Sequence, residues 1–127
     1  MIFKYDQVTT FAPTRDDRIF MVFQDIFCIL NPETLEIENK HEIDIGQVFA
    51  VCPYKEDFIL HGELSICRVN RNLELLWEFD ARDIFIRQDD DPAFEMKPDR
   101  ICLYDWLGYY YEIAYDGILI TESTPSG

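Results

Sequence analysis

Apolar and polar positions alternate in short bursts along this chain, and turn-forming residues interrupt each burst within a few positions. Arg18 to Phe23 is an aromatic and β-branched run, Gln24-Asp25 breaks it, and Ile26 to Leu30 resumes it. Asn31-Pro32-Glu33-Thr34 then turns the chain, because asparagine starts turns and proline presets φ. Leu35-Glu36-Ile37-Glu38 leaves that turn with the alternation of a half-buried strand. The plan repeats as strand Phe58 to Leu60, turn His61-Gly62-Glu63, strand Leu64 to Val69, turn Asn70-Arg71-Asn72 and strand Leu73 to Phe79 through Trp77. It repeats again as Arg100 to Tyr104, turn Asp105-Trp106-Leu107-Gly108, Tyr109 to Tyr115, turn Asp116-Gly117 and Ile118 to Thr121. Asp116-Gly117 is the strongest hairpin signal, since glycine accepts the positive φ of a primed turn.

An aspartate before a short apolar run opens each of these units, at Asp17, Asp57 and Asp99. The intervals of 40 and 42 residues (57 − 17 and 99 − 57) suit stacked supersecondary units. They divide one domain, 1–127, into approximate repeats 17–56, 57–98 and 99–121. Residues 42–52 alternate and then run apolar, which predicts a strand. Residues 86–98, with two prolines and three consecutive aspartates, predict a long connection, and Glu122 to Gly127 a frayed tail. Helix signals are thin. About nine or ten short strands between turns predict an all-β domain of antiparallel sheets.

The strings FCILNPETLEI, CRVNRNLELLWEFDARDIF and YYYEIAYDGILI together resemble quinoprotein-like β-propeller repeats, in which the chain turns at Asp/Asn-Gly and leaves through an Ile/Leu-x-Trp strand. Asp116-Gly117 keeps the turn glycine and Leu76-Trp77 the tryptophan. The resemblance implies three blade-like units, arranged as half a propeller or folded as a sandwich. It carries over no cofactor-binding residue, and no cofactor or metal is expected.

Charge narrows the partners. Asp and Glu total 25 against 11 Lys and Arg, a formal charge of −14. That field repels phosphate backbones and anionic membrane faces, so nucleic acid and membrane are not expected, whereas a basic protein would be attracted. An acidic surface also serves solubility alone. Cys28, Cys52, Cys67 and Cys102 form no C-x-x-C pair, and three lie in apolar runs where cysteine packs as a small hydrophobe. MIFKYDQVTT has neither the basic nor the apolar region of a secretory signal, so a cytoplasmic protein with free thiols is expected.

Two clusters could carry binding. Asp89, Asp90 and Asp91, with Glu95 beyond them, form the densest acidic run. Consecutive aspartates followed by Pro92 lack the alternating ligands and bend glycine of a calcium loop, leaving a solvated loop or a face for a basic partner. Asp105, Trp106, Tyr109, Tyr110 and Tyr111 bring aromatic residues of the kind that dominate binding hot spots, and equally of the kind that close a core with hydroxyls in water. In a strand Tyr109 and Tyr111 face one side and Tyr110 the other. A hydrolase would need an acid pair such as Asp83 with Asp105, or Cys67 with His61. Phosphate-loop, nucleophile-elbow and zinc-protease motifs are lacking. The sequence thus predicts a non-enzymatic domain that binds a basic protein, in its most specific form an immunity-type inhibitor of a toxin domain. Its rivals are a repeat module whose copies assemble into a propeller-like ring, and a small hydrolase.

Overall fold

The computed structural model describes residues 9–11, 18–23 and 26–125. Asp17, the Gln24-Asp25 turn and the last two residues of the predicted tail lie outside the described residues. Among the described residues, twelve strands form three separate four-stranded antiparallel sheets, each a meander in chain order. The first holds β1 (Thr9–Phe11), β2 (Ile19–Phe23), β3 (Ile26–Leu30) and β4 (Ile37–Glu42). The second holds β5 (Val48–Tyr54), β6 (Asp57–Gly62), β7 (Ser65–Val69) and β8 (Leu75–Asp80). The third holds β9 (Phe94–Met96), β10 (Ile101–Tyr104), β11 (Tyr110–Ile113) and β12 (Leu119–Ser123). The repeats read from the sequence are offset from this frame by one strand, since Asp57 opens β6 and Asp99 precedes β10.

The middle sheet is apolar on both faces, which is why FILHGELSICRV alternates so poorly. Pairing of Phe58 with Val69 and of Leu60 with Cys67 puts all four on one face. There they join Phe20, Val22 and Phe27 of the first sheet in one core. Ile59 and Ile66 point the other way and meet Ile101, Leu103, Tyr111 and Ile113 of the third sheet in a second core. Phe20, Phe27 and Phe58 interlock, with ring centroids 4.6 Å apart for Phe20–Phe58 and an edge-on contact at 5.7 Å for Phe27–Phe58. Two faces buried against two neighbours make a stack of three layers, not the two sheets of a sandwich.

Polar ties fasten the second sheet to the third. Arg68 donates from Nη1 to the Tyr115 carbonyl at 2.8 Å, and Trp77 donates from Nε1 to the same oxygen at 2.9 Å. Tyr54 and Tyr115 stack with centroids 3.8 Å apart, and the Arg68 guanidinium lies 5.0 Å from the Tyr54 ring. Gly117 has φ +88°, and a Cβ there would lie 2.7 Å from the Trp77 ring. Gly117→Ala therefore combines a left-handed penalty with a steric push on Trp77. A loss of about 2 kcal/mol is expected, measured as a lower urea midpoint with an unchanged slope.

Three local departures from expectation have physical causes. The predicted connection 86–98 contains β9, because Phe94 and Met96 pack on the second core while their backbones pair with β10. The predicted tail is strand as far as Ser123, since Tyr110 pairs with Ser123 and Tyr111 with Glu122. The expected turn at Gly62 moves on to Glu63-Leu64, because glycine at 62 makes room for Ile45, whose carbonyl oxygen would lie 2.6 Å from a Cβ there.

Candidate functional site

Most of the predicted binding residues gather at one corner of the third sheet, around the turn that joins β10 to β11. Asp105 starts that turn, and its Oδ1 accepts the Tyr109 backbone N–H at 2.9 Å. Gly108 closes it with φ +94°. The turn holds Trp106 out at 42% exposure with Leu107 half exposed beside it. Trp106 is pinned by its own backbone: its N–H donates to Ile84 O at 2.9 Å, and its carbonyl accepts Gln88 Nε2 at 2.5 Å. Arg87, Gln88, Asp89, Tyr104, Asp105, Trp106, Leu107 and Gly108 line an open hollow of about 530 Å³.

Arg87 organises the acidic run. Its guanidinium lies 4.0 Å from the Tyr104 ring centroid, and its Nη2 meets Asp89 Oδ2 at 2.6 Å and Asp91 Oδ2 at 3.8 Å. Asp89 is held below the usual carboxylate range, first by its hydrogen bond from Arg87, so it stays ionised. It also accepts the Asp91 N–H at 3.1 Å, which curls the loop. Asp90 is exposed beside them. The aspartates thus form an arginine-centred loop at the mouth of an aromatic hollow. Glu95 sits apart on β9, exposed and 2.7 Å from Lys97.

Two residues predicted from the sequence as contacts are interior instead. Asp105 is 1% exposed, and Tyr111 is fully buried in the second core. Tyr111 donates its hydroxyl to Asp105 Oδ2 at 2.7 Å and accepts the Arg82 N–H at 3.1 Å. Burial pushes the Tyr111 phenol up to about 12, which keeps it a neutral donor. The pair shapes the turn from within, and neither member is open to a partner. The neighbouring tyrosines divide as strand geometry requires. Tyr109 packs on the second core under Arg82, whose guanidinium is 5.0 Å from its ring. Tyr110 lies on the opposite face, near Tyr104 at 4.8 Å, and donates to Glu112 Oε2 at 2.6 Å.

Arg87, Gln88, Tyr104 and Leu107 complete the hollow, and none of them stands out in the sequence. A cation two residues before the first of three aspartates is the available signal.

The Cys67–His61 pair is not assembled. Cys67 pairs with Leu60 and faces the first sheet, whereas His61 pairs with Ile66 and faces the third, so sheet backbone separates thiol from imidazole. Burial pushes the Cys67 thiol up to about 12, leaving it protonated at neutral pH. Asp83 accepts the Ile84 N–H at 2.7 Å, and Asp105 is occupied by Tyr109 and Tyr111.

His61 has a packing role. Its ring stacks on Phe94 at 4.9 Å, meets Phe49 edge-on at 5.0 Å, and donates from Nε2 to the Phe85 carbonyl at 3.1 Å. Burial lowers its pKa below the ordinary 6.5, against the opposing pull of the Phe85 carbonyl. Below pH 6.5 the unfolded chain therefore takes up a proton that the folded chain resists. This contribution to stability is complete above that pH and is lost as the pH falls. In His61→Phe the loss of stability between about pH 7.5 and pH 5.5 should be smaller than in the wild type, read from urea midpoints at each pH.

No protein-family model matches the chain, and none of the curated proteins does. Solved structures match its fold. BamB from Moraxella catarrhalis superposes with a TM-score of 0.63 and 8% identity, over 92% of this chain and 37% of that one. The Neurospora crassa Pan2 WD40 domain gives 0.64 and 13%, over 97% of this chain and 41% of that one. The computationally designed Ika8 protein gives 0.64 and 10%, over 92% and 36%. The chain thus spans about two fifths of the length of these structures, and at such identities the likeness concerns the fold. It is the β-propeller fold: three consecutive four-stranded blades, as the resemblance implied.

Proposed function

We propose that the chain is a non-enzymatic binding domain whose third-sheet hollow receives a basic protein. The observation that supports this reading is that Asp89, to which Asp91 is bonded in the same acidic loop, shares one hollow with exposed Trp106 and Leu107. Carboxylates attract and orient a cationic surface, while Trp106 and Leu107 offer it apolar area to bury. The overall charge of −14 acts in the same direction and discourages nucleic acid and anionic membrane. In its most specific form the partner is a basic toxin domain such as a nuclease, whose phosphate-binding cations the aspartates would occupy. The four cysteines are free thiols, which suits a reducing cytoplasm.

Calorimetry with an acetylated hexa-arginine peptide tests the site. Binding should weaken at least about tenfold between about 20 and 150 mM salt. Trp106→Ala, which leaves every charge in place, should weaken it about thirtyfold at the lower salt. Equal affinity of the wild type and Trp106→Ala would remove the hollow as the site.

A further inference from the structure

The three sheets repeat one design, and the repeat shows what each face is for. In the middle sheet Phe58 pairs with Val69 and Leu60 with Cys67, and all four are buried against the sheet before. In the third sheet Ile101 pairs with Ile113 and Leu103 with Tyr111, and all four are buried against the middle sheet. The same register in the first sheet pairs Ile19 with Leu30 and Met21 with Cys28. Those four alternate with Phe20, Val22 and Phe27, so they lie on the face turned away from the middle sheet. Ile19, Met21 and Leu30 are only half-buried there, and among the described residues no strand packs over them. The opposite end of the stack is finished differently. On the outer face of the third sheet Arg100 meets Glu112 at 2.7 Å, Tyr110 donates to the same carboxylate at 2.6 Å, and Lys97 meets Glu95 at 2.7 Å. A polar outer face of this kind ends a series of stacked repeats, whereas an apolar one continues it.

We propose that this outer face of the first sheet binds a second copy of the chain, sheet against sheet, about a two-fold axis. The occupant follows from the charges that end the cross-strand rows. One row runs Met21, Cys28, Lys40 and the other Phe23, Ile26, Glu42, so two apolar rows end on β4 in charges of opposite sign. A two-fold axis in the plane of contact, perpendicular to the strands and between the rows, exchanges them. Lys40 of each copy then meets Glu42 of the other, and the apolar residues meet between these pairs. Closure head to tail would instead press the apolar face onto the Arg100–Glu112 pair of the third sheet, burying charge with no new partner. The face is small. Strands of about five residues, four abreast, cover roughly 300 Å², well under the roughly 800 Å² per partner of a standard complex, so the dimer is reversible. The hollow beside Trp106 belongs to the third sheet, so the dimer leaves it open, and this inference stands apart from the reading of that site.

The test is sedimentation equilibrium of the full chain from about 1 to 300 µM, where a monomer–dimer equilibrium with a dissociation constant on the order of tens of micromolar is expected. Two copies at −14 each repel, so the dimer should tighten at least about fivefold between about 20 and 500 mM salt, opposite to the hexa-arginine complex. Lys40→Glu puts like charges face to face and should weaken the dimer at least about tenfold at about 150 mM salt. Glu42→Lys should weaken it by a similar factor, although net charge alone would make that variant tighten. The double swap, which restores opposite signs, should return to within about threefold of the wild type. Met21→Gln, similar in length, should also weaken the dimer while its urea midpoint stays close to that of the wild type. A monomer at every concentration and salt, growth beyond the dimer, single swaps that leave the dimer intact, or a double swap that fails to restore it would each overturn the proposal.

Discussion

Phe58→Ala should cost about 4 kcal/mol, the largest loss expected from truncating any one side chain of the first core. Phe58 is fully buried near the start of β6, and its ring touches both Phe20 and Phe27 of the first sheet. Truncation loses the transfer free energy of the ring and leaves a cavity that two rigid strands cannot close. The neighbouring layer also loses its anchor, because the first sheet reaches the rest of the molecule through this core. Urea unfolding followed by tryptophan fluorescence would show a much lower midpoint. Leu76→Ala, on an exposed position of β8, should shift it little. A change below about 1 kcal/mol for Phe58→Ala would mean that the first and second sheets do not share a packed interior.

Asp105→Ala should cost about 3 kcal/mol, and for a different reason. The carboxylate is buried and receives the Tyr111 hydroxyl and the Tyr109 N–H. Alanine leaves both donors without their acceptor in a region that excludes water, so their desolvation is no longer offset. Tyr111→Phe should cost less, because the Tyr109 N–H still reaches the carboxylate. The pair of variants separates two roles. A surface contact residue would lower hexa-arginine binding without changing the urea midpoint, whereas Asp105→Ala should lower the midpoint first. Normal stability with lost binding would return Asp105 to the surface.

The strand-turn rhythm of the sequence carries most of the fold, because each hairpin is specified locally by its turn residues. Asn70-Arg71-Asn72 turns as expected, with the Asn70 side chain accepting the Asn72 N–H at 2.9 Å and the Glu74 N–H at 3.0 Å. Asp116-Gly117 does the same, with Gly117 at positive φ. β9 is hidden because three residues between prolines have no periodicity of their own, and their strand state comes from pairing with β10. The candidate site is only half legible. The acidic run and Trp106 stand out by composition, but whether an aspartate faces water or a tyrosine hydroxyl depends on contacts made across the sheet. Asp105 and Tyr111 are separated by a turn in sequence and bonded in space, and alternation alone cannot show that Tyr111 ends inside. Arg87 is easily passed over, because a lone cation beside three aspartates looks like neutralisation, while its stacking on Tyr104 requires β10 to lie beneath it.

Native-state amide exchange across the whole chain tests the three-layer arrangement most directly. With both faces dry, β6 and β7 should hold the slowest amides, followed by β2, β3, β10 and β11, and the outer strands β4 and β12 should exchange fastest. Protection spread evenly over the chain, or slowest exchange at 37–42 or 119–123, would contradict a middle sheet enclosed by its two neighbours.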